Sequence, residues 1–250
     1  MLEVNSIVGK NQIRILVVYL LLTVIIIIFD VRYQDGNPSL YLTFAVRLSM
    51  FMTVLAIRKR YPEQKLIVLA FLFTVISDYY FIFVNTFERD IPNSQLFGMI
   101  GFIGAYLCLI LTFSRNFRIG KPELITIAPF AAIFTLLFLS LQQYAEGLMY
   151  PAGIILGIIL CIFGMTMVST LYRGYFSRKA AWLIAIAGCM MFFSDLFVAL
   201  ALYHPDFKDF LLWREIVVMA TYVPAWTLLM LVAAEENLYS GIKDRITISG

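Results

Sequence analysis

Histidine occurs once in the 250 residues, cysteine three times, and only 14% of the side chains are charged. A lone histidine, His204, excludes a multi-histidine metal centre, and the HExxH pattern is absent. Cys108, Cys161 and Cys189 all fall within apolar runs without CxxC spacing. They read as small buried hydrophobes, not as disulfide partners or metal ligands. There is no GxSxG elbow and no glycine-rich phosphate loop, which removes the commonest serine-hydrolase and nucleotide signatures. His204 and Asp209 do show the His-x4-Asp spacing of some acyltransferases. With eight aspartates in the chain and only a short polar loop around the pair, coincidence accounts for it. The net charge of +3 is too small to imply a nucleic-acid partner. Neither a metal nor an organic cofactor is expected.

Apolar sequence is what the chain has in excess. Hydrophobic residues make up 62% of it and the mean hydropathy is +0.88. A soluble domain of this length has no interior large enough for that surface, so the fold class is all-α, a polytopic membrane protein. Apolar runs bounded by charges and turn formers predict a bundle of about eight transmembrane helices in one domain, near 13–29, 40–57, 66–84, 96–113, 124–141, 151–172, 180–203 and 210–233. The first run follows Lys10 and Arg14 but precedes no small-residue cleavage pattern, so it reads as an uncleaved helix. Fourteen of the 19 Lys and Arg fall at the termini and in alternate loops, against Arg32, Arg89, Lys208 and Arg214 on the other side. The positive-inside rule then expects both termini in the cytoplasm, in a protein of the plasma membrane. Tyr33, Tyr41, Tyr150 and Tyr203 sit near span ends as interfacial anchors.

Three charged residues break the apolar pattern: Arg47 in the second span, Asp78 in the third and Asp195 in the seventh. A carboxylate near the bilayer centre costs about 2.5–3.5 kcal/mol on the insertion scale. Such a group needs a partner or a task. At a rise of 1.5 Å per residue the three lie about 10, 9 and 12 Å below the outer ends of their helices. That common level allows one shared cavity. Both aspartates follow a serine, Ser77 and Ser194, four helices apart, an arrangement compatible with two parallel halves. Thr74, Phe81 and Asn85 share a face with Asp78 and lead outward, and Tyr106 offers a hydroxyl deeper on the fourth span. Glycines at 98, 101, 153, 157 and 164 read as close-packing stripes, and Pro129 and Pro224 as kinks.

An ion pair that merely fixes helix packing accounts for part of this pattern. Two carboxyls facing one arginine leave one carboxyl without a strong partner, and such a group can be protonated at neutral pH. One ionised and one protonated carboxyl is the arrangement that acid/base hydrolysis uses. A proton-coupled transporter, or a non-catalytic lipid-binding or sensor protein, fits the same residues.

At these residues the chain resembles the YhhN-like family of eight-helix membrane proteins, which includes the lysoplasmalogenases. That family typically carries a basic residue on helix 2, Gly-Asp near the end of helix 3, a glycine-rich helix 4 with a histidine, and Ser-Asp on helix 7. Arg47, Ser77-Asp78, the Phe97 to Phe102 stretch and Phe193-Ser194-Asp195-Leu196 stand at those places. Tyr106 stands where the histidine is usual, Leu109 where a tyrosine follows it, and Ser77 in place of glycine. The resemblance implies hydrolysis of the vinyl-ether bond of a lysoplasmalogen, a lysophospholipid drawn from the bilayer. Asp78 and Asp195 would be the catalytic carboxyls. Arg47, Tyr106, Asn85, Ser77 and Ser194 would bind substrate or tune them. For the orientation, a cysteine placed in the 115–121 loop should resist an impermeant thiol reagent added to intact cells and react after permeabilisation. Labelling of intact cells would reverse the topology.

Overall fold

A computed structural model of the chain describes residues 2–33, 37–84, 94–144, 147–208 and 216–240. These form α1 (Leu2–Arg32), α2 (Asn37–Ala56), α3 (Pro62–Asp78), a π-helix (Tyr79–Val84), α4 (Ser94–Phe113), α5 (Lys121–Leu141), α6 (Met149–Arg173), α7 (Arg178–Tyr203), the single turn α8 (Pro205–Lys208) and α9 (Val218–Ala233). Helix starts follow local chemistry. Pro62 opens α3, where a missing N–H costs nothing, and the Gln64 side chain accepts from the Arg60 and Tyr61 amides. Glu123 accepts from the Gly120 amide at the start of α5, and Ser177 from Ala180 at the start of α7. α6 stops at Gly174, whose φ of 64° is the left-handed C-terminal conformation.

Six of these helices are long and apolar enough to cross a membrane: α1 from Gln12, α3 with its π-helical extension to Ile82, and α4 to α7. The apolar parts of α2 and α9, Leu40–Ala56 and Val218–Ala233, are shorter. The expected eight long spans are thus six long and two short among the described residues. α2 itself runs 20 residues with its polar Asn37-Pro38-Ser39 start included, and α9 is preceded by π-helical residues 216–217, its expected start at 210 lying outside the described residues. The third span differs in kind. It changes from α- to π-helix immediately after Asp78, where the sequence pattern predicts one continuous α-helix.

Helix packing forms a closed circuit. α2 packs on α3, α3 on α4, α4 on α6, α6 on α7, α7 on α9, and α9 returns to α2 and α3, with α1 against α9 and α5 outside α6. α9 is the hub: Val223, Ala225, Trp226, Leu229, Met230 and Val232 are all buried. α5 is the reverse, with Leu124, Ile125 and Leu136 exposed, as a lipid-facing helix requires.

Glycine sets the tightest contact. A Cβ on Gly101 would stand 3.0 Å from the Ser77 backbone, and one on Gly98 would overlap the Phe81 ring. In lipid, where apolar burial drives no association, this close approach holds α3 to α4. Gly157 and Gly164 receive Phe134 and Phe130 of α5 in the same way. Gly153 departs from the expected stripe, because a Cβ there would meet nothing within 4 Å among the described residues.

One end of the bundle is tied by polar bonds. The stretch 235–240 runs across the ends of α1, α3 and α7, pairing Phe176 with Tyr239 in an antiparallel bridge. Lys179 pairs with Glu235 at 2.7 Å and Arg60 with Glu236 at 2.6 Å. Glu63 accepts from Tyr239 at 2.5 Å and Tyr175 at 3.4 Å and pairs with Arg115. Burial and the bond to Glu63 push the Tyr239 phenol above its ordinary range. Three loops predicted to share one side therefore meet at one end.

Gly101→Ala should destabilise the protein by about 1–3 kcal/mol through overpacking against backbone, whereas Gly153→Ala should be neutral or slightly stabilising. Thermal unfolding in detergent compares the two; equal effects would contradict the packing described.

Candidate functional site

A cavity of about 310 Å³ opens inside the circuit, in the half of the bundle away from the tied end. Arg47 of α2, Asp78 at the last position of α3 and Asp195 of α7 all line it. The three sequence anomalies therefore share one space. α2 and α3 are in direct contact, whereas α7 reaches the site across α9.

The two carboxyls are held differently. Arg47 Nη1 donates to both oxygens of Asp78 at 2.9 Å, and both residues are almost fully buried. Tyr222 of α9 completes this group. Its hydroxyl donates to Asp78 Oδ2 at 3.3 Å, and its ring lies 3.8 Å beneath the Arg47 guanidinium. A planar cation on an aromatic face is favourable, the more so when water is excluded. Arg47 Nη2 rests 3.8 Å from Met219 Sδ. Asp195 has no ion-pair partner among the described residues. It accepts a 2.6 Å hydrogen bond on Oδ2 from Tyr106, a residue with no exposed surface, and remains partly open to the cavity.

The other sequence candidates separate. Tyr106 stands behind Asp195, stacked on Phe102 and packed on Phe163, and does not itself line the cavity. Ser77 donates to the Gly98 carbonyl at 2.5 Å and Ser194 faces the Val218 carbonyl at 3.5 Å. Both hydroxyls are buried between helices and outside the cavity wall, so they fasten α3 to α4 and α7 to α9. Thr74 bonds back to Ala70, and of the expected outward polar stripe only Phe81 joins Asp78 on the wall. Asn85 and Asp209 lie outside the described residues. His204 ends α7, with its ring against Tyr144 and Phe207 and Nδ1 accepting from the Asp206 amide.

Sequence reasoning missed Tyr222. Its signal was modest: a tyrosine in an apolar run, one helical turn from Val218 and two residues before Pro224. The π-helix was also not visible, although it starts at the residue after Asp78 and carries Phe81 and Ile82 into the cavity wall. Such wide turns occur mostly where a helix must re-aim side chains at a site.

No group of three or more His, Cys, Asp or Glu suited to a metal exists among the described residues. What the arrangement provides is one carboxylate neutralised by arginine, one carboxyl braced by a neutral phenol, and an otherwise apolar chamber. This defines an all-helical integral membrane protein with a buried carboxyl pair. The chain belongs to the YhhN family, whose profile matches residues 39–233. No curated protein and no solved structure matches it.

Removing Asp78 alone strands a buried arginine, at a cost of about 3–5 kcal/mol. Tyr106→Phe loses one hydrogen bond, about 0.5–1.5 kcal/mol. Asp78→Leu should therefore lower thermal stability far more than Tyr106→Phe, and adding Arg47→Met should restore much of the loss. A double mutant no better than Asp78→Leu would show that the ion pair is not the coupling.

Proposed function

We propose that this protein is a membrane-embedded ether hydrolase that cleaves the vinyl-ether bond of a lysoplasmalogen into a fatty aldehyde and a glycerophospho head group. The observation that carries the reading is that two carboxyls with opposite electrostatic support face one apolar cavity. Membership of the YhhN family supports it.

Vinyl ethers are cleaved by protonating carbon, so the site needs an acid and a stabiliser of positive charge. Asp195 is the acid. Tyr106 occupies Oδ2, which leaves Oδ1 to carry a proton facing the cavity. That proton passes to the alkenyl carbon remote from the ether oxygen, and positive charge develops on the other alkenyl carbon and the oxygen. Asp78, kept ionised by Arg47, stabilises this cation as paired carboxyls do in glycosidases. Water adds to the cationic carbon and returns a proton to Asp195. The resulting hemiacetal breaks its bond to the glycerol oxygen, moving its hydroxyl proton to that oxygen and releasing aldehyde and alcohol. Tyr106, in place of the usual family histidine, supplies the hydrogen-bond donor to Asp195 without carrying a charge.

In the same reading α2 and α9 also cross the membrane, giving eight spans with both termini in the cytoplasm of a plasma-membrane protein. The tied end is then cytoplasmic and the cavity lies in the outer half.

Purified protein incubated with lysoplasmalogen should release fatty aldehyde, and Asp195→Asn should lower kcat by at least about 100-fold. No aldehyde from the wild-type protein over a range of head groups and pH would overturn the reading. Proton uptake into liposomes without product would assign the carboxyls to transport.

A further inference from the structure

The cavity has two unlike walls. Arg47, Asp78 and Tyr222 crowd the α2–α3–α9 side, whereas the α5–α6 side shows only Phe134, Leu137, Gly153, Leu156, Gly157 and Leu160. A polar group placed on that second wall has nothing to bond to, whereas a hydrocarbon chain loses nothing there.

The glycines of α6, of which Gly153 and Gly157 line this wall, divide by what fills them. The place of a side chain on Gly157 is taken by the Phe134 ring, which an added Cβ would overlap. Gly164 receives Phe130 likewise. Helix packing thus explains both. It does not explain Gly153, which lies on the cavity wall with no heavy atom of the described residues within 4 Å of an added Cβ. One turn from Gly157, Gly153 thus leaves a gap in the cavity wall beside Phe134 and Gly157.

We propose that the single hydrocarbon chain of the substrate lies along the α5–α6 wall and that Gly153 sets the longest chain the cavity admits. This rests on the cavity receiving a one-chain amphiphile, as the hydrolase reading has it, but not on any bond being cleaved. The phosphate-bearing end then lies toward Arg47 and the reacting carbon beside Asp195. A Cβ at 153 meets none of the described residues, so a larger side chain there has room to start into the cavity on the wall away from Arg47 and Asp78, and would shorten the track there. Glycine in a helix is replaceable by Leu or Phe without loss of helix propensity, so the variant folds.

The test measures binding of non-cleavable alkyl-ether lysophosphatidylcholines with 8-, 12- and 16-carbon chains to the full-length protein, by displacement of a labelled 16-carbon probe. Thermal unfolding of each variant serves as the folding check, and Gly153→Ala serves as a milder second variant. Gly153→Phe should keep 8-carbon affinity within about twofold and weaken 16-carbon affinity at least tenfold, with Gly153→Ala intermediate. Equal weakening at all lengths, no change at any length, or no binding of one-chain ethers by the wild-type protein would each overturn the proposal. Selective loss of long chains in a protein that releases no aldehyde would sustain it while ending the hydrolase reading. Aldehyde release with unaltered chain preference in Gly153→Phe would do the opposite.

Discussion

An arginine inside a lipid-facing bundle must have its charge met at that depth, and Arg47 meets it with Asp78 and the face of Tyr222. Three helices are committed by this one group, because α2 supplies the cation, α3 the anion and α9 the aromatic ring. α2 and α9 are thereby tied to α3 at the level of the cavity. The same constraint propagates along α3. Asp78 fixes the rotation of its helix, which turns Ser77 onto the Gly98 carbonyl and brings α3 into the backbone contact that Gly101 permits. With α4 so placed, Tyr106 reaches across to Asp195 on α7. The second carboxyl is thus braced from α4, the helix that packs on the helix of the first.

This chain of dependence makes the two aspartates chemically unequal. Asp78 belongs to a compact, nearly neutral cluster whose dissolution would expose an unpaired charge to an apolar interior. Asp195 has a single neutral donor and an open side toward the cavity. Acid/base chemistry requires such a difference between two groups of the same type. The proposed assignment of acid and stabiliser follows from those partners, and so does the orientation of a one-chain substrate between the polar and apolar walls.

The two ends of the bundle are built in contrast. Opposite the cavity, the stretch 235–240 binds three interhelical ends through paired charges, tyrosine hydroxyls and a short antiparallel bridge. Around the cavity, α3 gives way to the wider π-helix immediately after Asp78. The polar fastening is thus at the end of the bundle opposite the cavity.

Hydropathy and charge spacing alone determined that the chain is an all-helical membrane protein, placed its long spans within a few residues, and singled out Arg47, Asp78 and Asp195. They could do so because the penalty for charge in lipid is large and local, so each exception is conspicuous in a one-dimensional reading. The family motifs, too, were legible as short strings around those residues. Only the tertiary structure decided how the three are shared out: that Arg47 takes Asp78, that Tyr106 takes Asp195, and that Ser77 and Ser194 turn to backbone carbonyls instead of the cavity. It also decided that Tyr222 joins them and that Gly153, unlike Gly157, has no neighbour among the described residues in the place of a side chain. Partner choice depends on helix rotation and on which helices adjoin, and those are fixed by contacts between residues as far apart as 47 and 222. No periodicity within a single helix carries that information.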